Sequence, residues 1–266
     1  MIARMLVALG ALTSASCATV PRSRAPEMAL WRLDCGHFDI DDLEGRGRVL
    51  MPVSCYLIRH GSDYVLLDTG LKAGLVGTSE RQTGQTLTLN RTIADQLGQI
   101  GVDPARIGTL VVSHFHGDHH EQSGTVSNAR LLIGAGDLAV FRSAPPRERE
   151  LNPWLNGKRP VEAVTADRDL FGDGRVRILF TPGHTPGHLA MLVKLDGLSV
   201  ILTGDLVHNR DQLASATPSG NHTDKVRGKA EIERVLAIAR TEKAEIIVGH
   251  DQRDIARLPA FPAAAE

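Results

Sequence analysis

The stretch Thr109-Leu-Val-Val-Ser-His-Phe-His-Gly-Asp-His-His120 joins a short apolar run to a crowd of metal-binding side chains. Leu110 to Val112 reads as a buried strand closed by the turn-forming Ser113. Four histidines and one aspartate follow within seven positions, so they stand where the strand ends. Imidazole and carboxylate are the ligands that hold zinc and its neighbours. A loop leaving a strand points alternate side chains at one spot, which makes His114 and His116 partners on one ion. Asp118 and His119 are consecutive and diverge as the chain turns, which suits a second ion. A solvated hydrophilic loop is the plain alternative, but it does not explain why the cluster abuts an apolar strand.

Three more residues follow strand-like runs in the same way. His184 comes after Val176 to Phe180 in TPGHTPGH, Asp205 after Val200 to Leu202 in LTGD, and His250 after Ile246 to Val248 in VGHD. In each, glycine lets the backbone approach closely while an acid or imidazole points off the strand end. Singly these are turn residues; together with the first cluster they suggest one shared metal centre.

Outward from these sites the chain alternates strands and helices. Ala29 to Asp34, Val53 to Ile58 and Tyr64 to Asp68 read as strands, the last two joined by a hairpin turn over His60 to Asp63. Asp68 closes the third and can orient a ligand histidine from behind. Leu71 to Asn90 reads as a long functional loop whose Leu75, Val76, Leu87 and Leu89 wall a pocket. Ser143 to Pro160, carrying Trp154, reads as a second loop, either a lid or a solvated excursion. Helices are expected over Arg91 to Ile100, Asp137 to Arg142 and Lys229 to Lys243. Further strands are expected at Arg130 to Ile133, Val161 to Val164, Leu189 to Leu195, Ser199 to Leu202 and Glu245 to Val248. Two sheets packed face to face with helices outside would bury all these runs, an αββα sandwich.

With 266 residues, 42% of them apolar, the chain has enough material for one large α/β domain. Thirty basic residues balance 31 acidic ones and form no run, which argues against a nucleic-acid partner. At the N-terminus, Arg4, the apolar run Met5 to Leu12 and the small residues up to Cys17 form a secretory signal too short to span a membrane. Ala15-Ser16-Cys17 is similar to the cleavage box of bacterial lipoproteins, in which Cys17 would be lipidated and hold the protein at a membrane. Ser14 stands where that box usually has leucine. The expected organisation is therefore an export segment over 1–20, a Pro/Arg/Ser tether over 21–27 and one metal-binding α/β domain over 28–266. Export would permit a disulfide between Cys35 and Cys55. A buried free pair is the expected outcome, because Cys55 sits in the apolar run CYLI and packs as a small hydrophobe.

HxHxDH over His114 to His119, followed by His184, Asp205 and His250 in these contexts, resembles the metallo-β-lactamase superfamily, whose αββα sandwich agrees with the layers above. The resemblance implies two divalent ions, most simply zinc, with manganese, iron or cobalt as alternatives. It places His114, His116 and His184 on one ion, Asp118, His119 and His250 on the other, and Asp205 between them. Within the superfamily, MPVSCYLIRHGSDYVLLDTGL, TPGHTPGH and VGHD are most similar to the N-acyl homoserine lactone lactonases of the quorum-quenching branch. On a lactone, such a two-ion centre would open the ring by attack of a metal-bridging hydroxide, with Asp118 placed to carry the proton to the leaving alkoxide and His208 to donate a hydrogen bond. Members of the lactonase branch commonly have a tyrosine three residues after the bridging aspartate, where this chain has His208. GDLVH is instead similar to the organophosphate (methyl parathion) hydrolases. Phosphotriesters and β-lactams are thus alternative substrates. A non-catalytic exported metal-binding protein is a further reading, disfavoured because structural zinc sites are closed and usually rich in thiolates.

Overall fold

A computed structural model of the chain describes residues 27–43, 45, 47–143 and 149–266. The expected export segment, Cys17 and all of the tether but Glu27 lie outside the described residues. Strands β1 (Met28–Ile40), β2 (Val49–His60) and β3 (Asp63–Leu67) form an antiparallel meander. β1 and β2 run well beyond the six-residue strands expected for each. In β1, Asp34 to Gly36 reads as a stop, yet the chain absorbs it as a register shift between Asp34 and His37. Gly36 makes this possible: at φ 109° a side chain there would also lie 2.7 Å from Thr88 O.

Beyond the bulge β1 also pairs with β5 (Gln85–Thr88), which pairs with β4 (Ser79–Gln82). Most of the Leu71–Asn90 stretch expected to be irregular is therefore short 3-10 turn and hairpin. Its alternation is masked by polar residues on both faces, since this hairpin is an exposed sheet edge. Helix α1 (Ile93–Gln99) follows, starting where Thr92 and Asp95 close a capping box. β6 (Ile107–Val112), β7 (Arg130–Gly134) and β8 (Val161–Val164) then extend the sheet in parallel, in the order β4-β5-β1-β2-β3-β6-β7-β8. Helices α2 (Ala135–Ser143) and α3 (Asn152–Leu155) connect β7 to β8.

The second sheet holds β9 (Arg168–Asp169), β10 (Val176–Phe180), β11 (Leu189–Lys194), β12 (Ser199–Leu202) and β13 (Glu245–Ile247). Its order is β13-β12-β11-β10-β9, with only β12 and β13 parallel. Helices α4 (Arg210–Ser215) and α5 (Lys225–Glu242) make that crossover. α5 begins a turn earlier than expected, at the Asp224 cap. Its first turn has its one large apolar residue, Val226, turned to solvent and contains Gly228, where a side chain would lie 2.4 Å from the His222 ring, so it lacks the buried apolar period that marks the rest.

Period-two alternation sorts the core into three layers. On β2, Val53, Cys55 and Leu57 face α1, whereas Tyr56 and Ile58 face the second sheet. On β11, Met191 and Val193 face the first sheet, whereas Ala190 and Leu192 meet Ile232, Val235 and Ala239 of α5. Helices, sheet, sheet and helices thus stack as the αββα sandwich expected from sequence.

Two expectations are corrected inside the first layer. Cys35 and Cys55 form a disulfide with Cα atoms 5.9 Å apart, rather than a free pair. Cys35 lies on the same face as Leu33 and meets Cys55 across the β1–β2 pair where the register shifts, an encounter no spacing in the sequence reveals. Trp154 is neither lid nor solvated: it is 1% exposed and donates Nε1–H to Ala129 O at 2.8 Å. Leu75 and Leu89 join it in the same buried layer.

Candidate metal centre

The two sheets place four strand ends along one rim. After β6, Ser113 and His114 continue the chain, and a 3-10 turn over Gly117–His119 swings Asp118 and His119 inward. His184 follows β10, Asp205 sits in the 3-10 turn Gly204–Leu206 after β12, and His250 follows β13. All seven sequence-predicted ligands meet there, and they divide into His114, His116, His184 and Asp205 on one side and Asp118, His119 and His250 on the other. His116 Nδ1 lies 2.9 Å from His114 Nε2 and 3.0 Å from His184 Nε2. Asp205 Oδ2 is 3.6 Å from His114 Nε2 and 3.4 Å from His184 Nε2. Its other oxygen, Oδ1, lies 3.2 Å from His119 Nε2 and 2.9 Å from His250 Nε2. Asp118 Oδ2 completes the second set, 3.2 Å from His119 Nε2 and 3.5 Å from His250 Nε2.

Several features show that these residues fit metal ions. Burial holds the pKa values of His114, His116 and His184 below the ordinary histidine value, so all three imidazoles are neutral. Neutral nitrogens converging on one point are ready donors to a cation. Burial opposes the charge on Asp205, but the surrounding histidines, His250 and His119 foremost, hold its carboxyl well below the usual range. His119 Nε2 and Asp205 Oδ1 are buried without a hydrogen-bond partner. In the second set burial again favours neutral imidazole, yet neighbouring carboxylates outweigh it and raise His119 and His250. That half of the site attracts positive charge.

A family model described as the metallo-beta-lactamase superfamily matches residues 48–250. The chain belongs to the metallo-beta-lactamase superfamily. Among curated superfamily members it is 28% identical to an N-acyl homoserine lactonase of Bacillus cereus, over 80% of this chain and 86% of the relative. It is 25% identical to the N-acyl homoserine lactonase AttM of Agrobacterium fabrum, over 82% and 89%. Among solved structures, a quorum-quenching N-acyl homoserine lactone hydrolase superposes with a TM-score of 0.77 at 21% identity, covering 91% of this chain and 100% of that one. The likeness extends the shared fold over nearly the whole described domain.

As a superfamily member, the chain orients its ligands from behind. Asp68 Oδ2 lies 2.8 Å from His119 Nδ1 and accepts the Ser113 hydroxyl at 2.8 Å, while Oδ1 accepts Ser113 N–H at 2.7 Å. Pro52 O sits 2.7 Å from His250 Nδ1. An acceptor at Nδ1 fixes the ring and leaves Nε2 free for a cation. His188, which the motif spacing does not single out, accepts Asp205 N–H at Nε2 (3.0 Å), with Thr181 Oγ1 2.8 Å from its Nδ1. Burial lowers its pKa to about 3, so it stays a neutral acceptor. The signal is present in the doubled PGH of TPGHTPGH, whose second histidine serves the aspartate and whose first is the ligand.

A pocket of about 320 Å³ opens onto the site between Phe38, Met51, Leu71 and Leu87 on its apolar side and Gln82, Gln85 and Asn221 on its polar side. Of the four residues on the Leu71–Asn90 stretch expected to wall it, only Leu87 does so. Leu75, Leu89 and Trp154 are core, and Val76 is exposed away from it. His208 does face the pocket, its Nε2 3.1 Å from Asp205 Oδ2 and its backbone N–H held by Gln212 Oε1 at 2.8 Å.

Proposed function

We propose that this chain is a metal-dependent hydrolase that opens the lactone ring of N-acyl homoserine lactones. The observation that carries the reading is Asp205, which turns one carboxylate oxygen to each of two ligand sets. The similarity to curated lactonases over most of both chains supports the substrate class. His114, His116 and His184 would hold one ion, Asp118, His119 and His250 the other, with Asp205 shared. Two divalent ions, most simply zinc, supply electrophilic polarisation of a carbonyl and acidify water to near neutrality.

The protein side of the reaction follows from the pocket. Water adds to the lactone carbonyl carbon, the ring C–O bond breaks, and the products are a carboxylate and an alcohol on one N-acyl homoserine. Asp118, whose pKa is lowered although burial opposes it, is the base at the pocket wall. It takes the proton of the attacking water and returns it to the departing alkoxide. His208, which also lines the pocket, donates a hydrogen bond to the substrate. Gln82, Gln85 and Asn221 match the acyl amide, and the Phe38, Met51, Leu71 and Leu87 wall matches the alkyl chain.

His208 also favours a second reading, a phosphotriesterase, because it stands where related lactonases carry tyrosine. Rates on a panel of N-acyl homoserine lactones, a phosphotriester and a β-lactam, with metal content measured on the same sample, decide between them. The lactones should be turned over fastest with two ions per chain; faster phosphotriester hydrolysis would overturn the lactonase reading. We further propose export, with the mature protein free in the periplasm or anchored through a lipidated Cys17. The Cys35–Cys55 disulfide supports this, since disulfides persist in oxidising compartments. Fractionation of the native host should find processed protein outside the cytosol, and full-length protein confined to the cytosol would overturn export.

A further inference from the structure

Asp137 is a fully buried carboxylate at the start of α2, away from the ligand sets. It is held by three neutral donors. Oδ2 accepts Phe115 N–H at 3.1 Å and the Thr185 hydroxyl at 2.7 Å, and Oδ1 accepts Gly187 N–H at 2.7 Å. Phe115 lies between the ligands His114 and His116, and Thr185 directly follows the ligand His184. One carboxylate therefore ties together the two loops that supply three imidazoles.

The backbone is built to bring those loops to it. A Cβ at Gly134 would lie 1.7 Å from Gly187 O, one at Gly136 would lie 2.6 Å from Pro186 Cβ, and one at Gly187 would lie 2.6 Å from Asp137 N. The junction of β7 and α2 and the His184 loop are thus in direct contact, with glycine where they cross. Burial of the carboxylate opposes its ionisation and raises its pKa to about 6, against the three donors that favour the charged form. A side chain of that kind costs stability that an apolar residue would not. What it supplies instead is a three-way acceptor of fixed geometry.

We propose that Asp137 is a positioning residue that sets the spacing of His114 and His116 against His184, and so the affinity of one of the two metal sites. The proposal rests on the dinuclear reading above. Residues that orient metal ligands typically contribute about 10–100-fold in affinity, and here the effect falls on one ion only. The other set is braced elsewhere: His119 rests on Asp68 and His250 on Pro52 O, so neither depends on Asp137 for its orientation.

The test is zinc retention by the full mature protein in buffers of graded chelator strength, with ions per chain counted for the parent and for Asp137→Asn. The parent should hold two ions. Asp137→Asn should release one of them at about 10–100-fold higher free zinc than the parent does, leaving a one-ion plateau that matches His116→Ala. Thr185→Val removes a single hydrogen bond and should shift the same ion about fivefold, which keeps the test open if Asp137→Asn does not fold. Retention like the parent's, or concerted loss of both ions, would overturn the proposal. A parent that holds fewer than two ions would instead sink the dinuclear reading and this proposal with it.

Discussion

The two ligand sets share Asp205 and differ in how the fold prepares their histidines. His114, His116 and His184 are neutral because burial strips them of solvent, and their loops are braced through backbone donors. His119 and His250 are instead backed individually, by Asp68 and by Pro52 O, and carboxylates around them raise their affinity for protons. One half is prepared by desolvation and the other by charge, so the same metal should respond differently to the same insult in each.

The largest effect should come from the residue common to both. Asp205→Ala removes an oxygen from each set, and we expect loss of most of both ions and a fall in activity on the order of 10²–10³-fold or more, at least that of losing one transition-state donor. An Asp205→Ala protein that keeps two ions and normal turnover would break the picture of a shared ligand. Asp68→Asn acts directly on His119 and reaches the other half only through Ser113, whose hydroxyl lies 3.0 Å from His114 Nδ1. It should weaken the ion on Asp118, His119 and His250 by about 10–100-fold and leave the other in place, a split that metal counting at graded chelator resolves.

A pH titration of metal affinity sharpens the same contrast. Protons on His119 and His250 must leave before those nitrogens can ligate, and their pKa values are raised. Affinity for that ion should therefore fall as pH drops through those values, about tenfold per unit for each proton displaced. His114, His116 and His184 have lowered pKa values and face no such competition near neutrality, so their ion should be held at constant affinity. As pH falls through those raised values the protein should pass through a one-ion state. Simultaneous loss of both ions across the same range would show that the halves are not distinct.

How much of this the sequence displays depends on whether the signal is local. The ligands are legible because each stands directly after an apolar strand, and strand ends of two packed sheets must share a rim. Asp68 is legible for the same reason. His188 is marked only by the doubled PGH, which does not say what it serves, and Asp137 is not marked at all: its partners lie on segments far along the chain. The Leu71–Asn90 stretch misleads because an exposed hairpin has no apolar face to alternate, while Leu75 and Leu89 are held by the core rather than by the pocket. Trp154 misleads similarly, since its surroundings in sequence are polar and its surroundings in space are not.

The smallest expected effect bears on substrate. The wall of Phe38, Met51, Leu71 and Leu87 meets the metal site, and at Met51 it adjoins a second trough lined by Leu43, Val49 and Leu50. Burying one methylene is worth about 0.8 kcal/mol, which is about fourfold in kcat/KM per carbon while the chain still finds apolar surface. Rates should thus climb with acyl length and then level off. Leu87→Asp should penalise every chain long enough to reach the wall. Leu50→Asp, at a position already 43% exposed and so safe for folding, should penalise only the longest. His208→Ala should slow short and long chains alike, about fivefold for one lost hydrogen bond, because a donor beside Asp205 acts on the reacting end. A flat length profile in the parent enzyme would mean that the apolar wall does not hold the acyl chain. His208 would then be the feature that decides substrate, and the phosphotriester reading would gain at the lactone's expense.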